Sequence, residues 1–156
     1  MIKVKNIMTK EVVVISQNSS ITDAAKLIAS KSVSSLVVVD QGKPIAIITE
    51  NGIIRAILSK KPKVKDVMTK DFKIISPMTR FSEVSNDIKG GKIKRFPVME
   101  NEKLAGLVTE TDIIEATRDF TRFHQIMQEV ILGIFGLTTA FFLFYFSPLR
   151  ITLFGL

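Results

Sequence analysis

Leu107-Val108-Thr109-Glu110-Thr111-Asp112-Ile113-Ile114 decides how this chain is read. An apolar, partly β-branched run ends at a small hydroxyl residue, and a segment of mixed charged and apolar positions begins. The same order occurs sixty positions earlier, in Ile47-Ile48-Thr49-Glu50-Asn51-Gly52-Ile53-Ile54. A fixed internal period is the mark of a repeated structural unit. Residues 1–60 align on 61–120 without a gap, with sixteen identities. Lys5-Asn6-Ile7-Met8-Thr9-Lys10 returns as Lys65-Asp66-Val67-Met68-Thr69-Lys70, and Val14-Ile15-Ser16 as Ile74-Ile75-Ser76. The copies differ most tellingly at one position: Asp112 stands where the first copy has Gly52.

The elements of one copy follow in order. Val12 to Ile15 is a short β-branched strand. Ser19 or Ser20 can cap a helix with Asp23 in its first turn. Ile21, Ala24, Ala25 and Ile28 recur at helical spacing, as Phe81, Val84 and Ile88 do in the second copy. Leu36 to Val39 is a continuous apolar strand suited to a covered sheet. Asp40-Gln41-Gly42-Lys43 turns the chain back, so Pro44 to Ile48 pairs antiparallel with it. A last helix runs from about Glu50 to Leu58 with Ile53, Ile54 and Ile57 inward. The expected fold is α/β (α+β): two pseudo-twofold-related β-α-β-β-α units packed through their sheets, plus a C-terminal apolar helix. One sixty-residue unit buries too little surface to be secure alone, whereas two can cover each other's sheets. The expected boundaries are 1–61, 62–121 and a hydrophobic tail, 122–156. Lys60-Lys61-Pro62-Lys63 is the linker, and its Pro stops the preceding helix.

Composition narrows the function classes. The net charge of +7 favours anionic partners without choosing among nucleotides, nucleic acid and acidic lipid. With no Cys there is no disulfide framework or thiolate chemistry, which fits a reducing compartment. A single His without Cys gives no basis for a zinc site. Met1 to Lys10 lacks the long apolar core of a secretory signal. There is no nucleophile–base pair and no pair of catalytic carboxylates at a recognisable spacing, so no enzyme is expected.

The Thr109–Asp112 pair has its own chemistry. A carboxylate in the first turn of a helix can accept hydrogen bonds from two adjacent hydroxyls, which a ribose offers at 2′ and 3′, as in dinucleotide-binding folds. Thr109 can donate or accept beside it, and the helix N-terminus suits a nearby phosphate. Spacing alone favours helix capping by Thr109 or Thr111 with Asp112 as a first-turn acid, and the two roles can coexist. Gly90-Gly91 ends a helix. The surrounding Lys89, Lys92, Lys94 and Arg95 lack the spacing of a Walker loop. Only Phe96 lies beside them, so a stacking platform for nucleic acid is not indicated.

The repeat resembles a tandem pair of CBS domains, the module named after cystathionine β-synthase and also called a Bateman module. The resemblance is carried by Asn6-Ile7-Met8-Thr9 and Asp66-Val67-Met68-Thr69, by Phe96-Pro97-Val98, and by Gly106-Leu107-Val108-Thr109-Glu110-Thr111-Asp112. It covers residues 1 to about 120. It implies an adenine nucleotide (AMP, ADP or ATP) or S-adenosylmethionine as regulatory ligand, with the last-strand end of one unit facing the opening and post-helix segments of the other. Leu107, Thr109 and Asp112 would then face Lys10, Val12, Val33, Ser34 and Ser35. A second, weaker cleft would join Ile47 and Thr49 to Lys70, Phe72, Ile93, Lys94 and Arg95. Its missing carboxylate at Gly52 implies one ribose site per chain, because two hydrogen bonds to a charged acceptor contribute about 2–4 kcal/mol.

After Asp119 the composition changes. Val130 to Leu149 are twenty residues without a charge, enough for a helix about 30 Å long, the thickness of a bilayer core. Tyr145 stands near its far end, where interfacial aromatics collect. Arg118, Arg122 and His124 precede it, which places the repeat on the cytoplasmic side and Arg150 to Leu156 across the membrane. Pro148 would end or kink the helix. Burial in an oligomer is a second reading of a helix apolar all round, and a tail that is no part of the working protein a third. The expected whole is a cytoplasmic, ligand-sensing regulatory module, tethered by residues 130–149, homodimeric, and signalling to a regulated protein. A ligand-free dimerisation module is the alternative, followed by nucleic-acid binding through the basic surface.

Overall fold

The computed structural model describes residues 2–91 and 93–146. Met1–Ile114 form one compact unit and Glu115–Leu156 another. In the first copy β1 (Val14–Ser16), α1 (Ile21–Lys31), β2 (Ser35–Asp40), β3 (Lys43–Thr49) and α2 (Glu50–Leu58) follow in order. The second copy gives α3 (Phe81–Lys89), β4 (Arg95–Glu100), β5 (Lys103–Thr109) and α4 (Glu110–Phe146). β1 runs parallel to β2, and β2 antiparallel to β3, in a three-stranded sheet. β4 and β5 form a two-stranded antiparallel sheet.

Local chemistry explains these elements and where the copies part. Ser20 caps α1 by accepting the Asp23 N–H at 3.0 Å. Arg80 holds the equivalent place before α3 and makes no side-chain cap. Gly91, with φ +75°, closes α3 in the left-handed region that favours glycine. The strand expected at Ile74-Ile75 contracts to a single parallel bridge, Ile75 to Val98. Pro97 supplies the reason. Its counterpart Val37 donates its N–H to the Val13 carbonyl at 3.1 Å. Proline has no N–H, so that rung of the ladder is lost.

Three apolar clusters hold the compact unit. Leu36, Val38, Ala46, Ile48 and Ile53 centre the first, and Phe96, Val98, Val108 and Ile113 the second. Val37, Ile47 and Leu107 meet in a third, flanked by Val12, Val39, Phe72 and Leu104. This third cluster is the seam between the two sheets. The opening segments are exchanged across it. Val4, from the first copy, is fully buried in the second copy's core, and Val64 is fully buried in the first copy's. Thr9 trades two backbone hydrogen bonds of 2.9 Å with Leu107, and Thr69 trades two of 2.8 Å with Ile47. Each unit is thereby completed by the other's first residues.

α4 is one continuous helix from Glu110 to Phe146, and its described apolar side chains beyond residue 120 are exposed. By length and composition it is able to cross a membrane. Pro148, residues 150–156, the last three positions of the 130–149 segment and Lys92 lie outside the described residues.

Candidate functional site at the seam between the repeats

Asp112 occupies the first turn of α4, where β5 hands over to the helix. Its Oδ2 accepts the Thr109 backbone N–H at 2.6 Å and the Thr109 hydroxyl at 2.8 Å. The capping role is therefore real, and it fixes the carboxylate's orientation. Oδ1 points across the seam, where the Thr9 hydroxyl of the first copy approaches at 3.5 Å. One long hydrogen bond leaves this oxygen most of its acceptor capacity. Asp112 is half-buried. At the matching position in the first copy, Thr49 caps α2 directly, its hydroxyl accepting the Gly52 N–H at 3.1 Å.

The other expected residues distribute as follows. Leu107 is buried on the seam beside half-buried Val12. Lys10 is exposed, one residue past Thr9. Val33 is half-buried and Ser34 exposed, with the Ser34 carbonyl accepting the Glu50 N–H at 3.1 Å. Ser35 is 6% exposed and pairs in register with Thr49. Arg95 pairs in register with Thr109, and Lys94 binds Glu110 through both its carbonyl and its ammonium, the latter at 3.0 Å. Antiparallel pairing forces this, since the start of β4 must lie beside the end of β5. Lys94 and Arg95 thus stand at the Asp112 end of their own sheet, where the sequence reading had assigned them to the other cleft.

Arg95 has a further property. Its Nε is buried and has no hydrogen-bond partner among the described residues. Burial lowers the guanidinium's pKa, and the negative charge of Glu110 pulls it back up. A buried, unsatisfied N–H donor is costly and gains from an anionic acceptor.

An open pocket of about 460 Å³ lies at Gly52, lined by Thr49, Asn51, Gly52, Arg55, Val67, Thr69 and Asp71. Of the residues expected for this cleft, Thr49 lines it. Lys70 lies between two lining residues, and Ile47 is bridged to Thr69. Asp71 accepts the Thr69 hydroxyl at 2.7 Å. Arg55 and Asp71 escaped the sequence reading, as did Thr9. The only signal for Thr9 was its place in the repeated Met-Thr-Lys opening. Among the described residues no cluster of His, Cys, Asp or Glu suits a metal ion.

A repeated α-β-β-α unit, preceded in the first copy by a short parallel strand and paired through its sheets, defines a class of tandem modules. The CBS domain family model matches residues 4–59 and 64–119, and the chain belongs to that family. The chain is 32% identical over 121 residues to a 17.7 kDa protein of the bps2 3′ region of Acidianus ambivalens, covering 75% of this chain and 74% of that one. It is 30% identical over 116 residues to protein MJ1225 of Methanocaldococcus jannaschii, covering 72% of this chain but only 41% of MJ1225. Among solved structures, the CBS domain pair of protein MJ0100, in complex with 5′-methylthioadenosine and S-adenosyl-L-methionine, superposes with a TM-score of 0.70 at 26% identity. That match covers 76% of this chain and 98% of the other.

Proposed function

We propose that this protein is a regulatory sensor that binds an adenine nucleotide or adenosyl compound at the Asp112 end of the seam and passes its state to a partner protein. The observation that carries this reading is Asp112 itself. One carboxylate oxygen is fixed by Thr109 and the other is turned across the seam with acceptor capacity to spare. A ribose 2′,3′-diol is the complementary donor pair. Leu107 and Val12 offer an apolar wall for a base and Lys10 a polar group at its edge, whereas Ser34 and Ser35, held beside Glu50 and Thr49, stand at the Gly52 end of their own sheet. Arg95 and the N-terminus of α4 favour an anionic end. The MJ0100 complex, whose ligands are both adenosyl compounds, supports the ligand class. The Gly52 pocket, lacking the acid, is the weaker cleft. Ligand binding would act by favouring one arrangement of the exchanged units over another.

We place the module on the cytoplasmic face of a membrane, anchored by α4, with Arg118 and Arg122 on the module's side of the span. Equilibrium dialysis of the full chain against AMP, ADP, ATP and S-adenosylmethionine tests the ligand class. At least one should bind below millimolar concentration, and no binding at millimolar concentration by any of the four contradicts the reading.

A further inference from the structure

α4 keeps one apolar phase through its change of composition. Phe123, Met127, Val130, Ile134, Leu137 and Phe141 recur at alternating steps of four and three. Ala116 and Phe120 before them, and Phe144 after them, hold the same phase. The helix is unbroken throughout. A 3.5-residue apolar repeat is the pattern of a left-handed helix pair, whose seam it lines.

Residues 115–129 are the informative part, because they precede the uncharged stretch. There Glu115, Arg118, Arg122, Gln125, Gln128 and Glu129 all fall on positions remote from the seam. Phe123 is 61% exposed, Met127 41% and Val130 49%. A lipid-facing span would not need a stripe confined to one face before the bilayer begins. A protein partner with the same stripe would.

We propose that this partner is a second copy of the chain, and that residues 116–144 form a parallel, in-register helix pair. The parallel sense rests on the membrane reading, since spans inserted in one direction run parallel. Hydrogen-bonding complementarity agrees with it, an imidazole N–H meeting a carboxylate. Asp119 and His124 flank the seam five positions apart, the offset that brings one chain's Asp119 against the other's His124 in a parallel pair. No two like charges face each other along the seam. Gly133 and Ala140 also flank it, and space beside Gly133 is open, which lets two backbones approach closely.

The chain has no cysteine, so single introduced thiols report cleanly. Phe123→Cys, Val130→Cys and Leu137→Cys probe the seam. Gln125→Cys, Leu132→Cys and Thr139→Cys probe the outer face. Each full-length variant is reconstituted in phosphatidylcholine vesicles, oxidised, and scored for disulfide-linked dimer. Carbonate extraction of the same vesicles scores membrane insertion. Seam thiols should cross-link several-fold faster than outer thiols at all three depths, because only there do paired positions come within disulfide reach. Equal rates on both faces, or cross-linking at one depth only, would overturn the parallel pair. A chain stripped by carbonate that still cross-links along the seam supports the pair and removes the membrane reading instead.

Discussion

At residue scale the cap and the proposed ligand role of Asp112 fall on different oxygens of one carboxylate. Thr109 takes one carboxylate oxygen and the seam receives the other. The first copy shows what remains without it: Thr49 caps the helix unaided. A side chain at Gly52 would meet only ordinary contacts, the nearest being the Thr49 hydroxyl at 3.4 Å. Gly52→Asp should therefore fold normally and place a second ribose acid on the seam, facing Thr69 as Asp112 faces Thr9. Native mass spectrometry with the ligand that dialysis identifies should show occupancy rising from one to two per chain. Unchanged occupancy in a folded variant would show that the acid does not limit that cleft. The Thr-x-x-Asp signature was legible because spacing along one helix start is local. Thr9, Arg55 and Asp71 were not, since they reach the site only through strand exchange and pairing.

At the scale of elements, the close approach of β5 to the opening segment governs the seam. A Cβ on Gly106 would lie 2.7 Å from the Met8 sulfur and 3.0 Å from the Thr9 carbonyl oxygen. Met8 can swing aside, but the Thr9 backbone is held by its two bonds to Leu107. Gly106→Ala should thus destabilise the chain by about 1–2 kcal/mol through overpacking, read by chemical denaturation, and should weaken ligand binding by displacing Thr9 from Asp112. Wild-type stability would mean that the segment yields freely. Hairpins and helices followed closely from apolar runs and turn residues, although Ile54 and Ile57, expected inward beside Ile53, are exposed. The second copy's missing strand did not, although Pro97 was visible, because only the observed parallel register shows that its absent N–H falls on a rung.

For the compact unit as a whole, the exchange of opening segments makes the two repeats one cooperative body. Val4 is fully buried among Phe96, Val98 and Val108. Val4→Ala removes two methyl groups from that core and should cost about 2 kcal/mol. Hydrogen exchange should show the loss in β4 and β5, ninety residues away in sequence, before β2 and β3. Loss confined to β2 and β3 would contradict the exchange. A repeat is legible from self-similarity, but the similarity of the copies gives no sign of which copy completes which. The tail's apolar length and phase were equally plain, while the continuity of one helix from Glu110 to Phe146 was not.

The most direct test of a ribose-gripping acid on the seam is a calorimetric titration of wild type and Asp112→Ala with the ligand that dialysis identifies, each protein checked for folding by circular dichroism. The expected result is one site per chain in the wild type, weakened by about 2–4 kcal/mol in the variant. Undiminished affinity in a folded Asp112→Ala protein would contradict it.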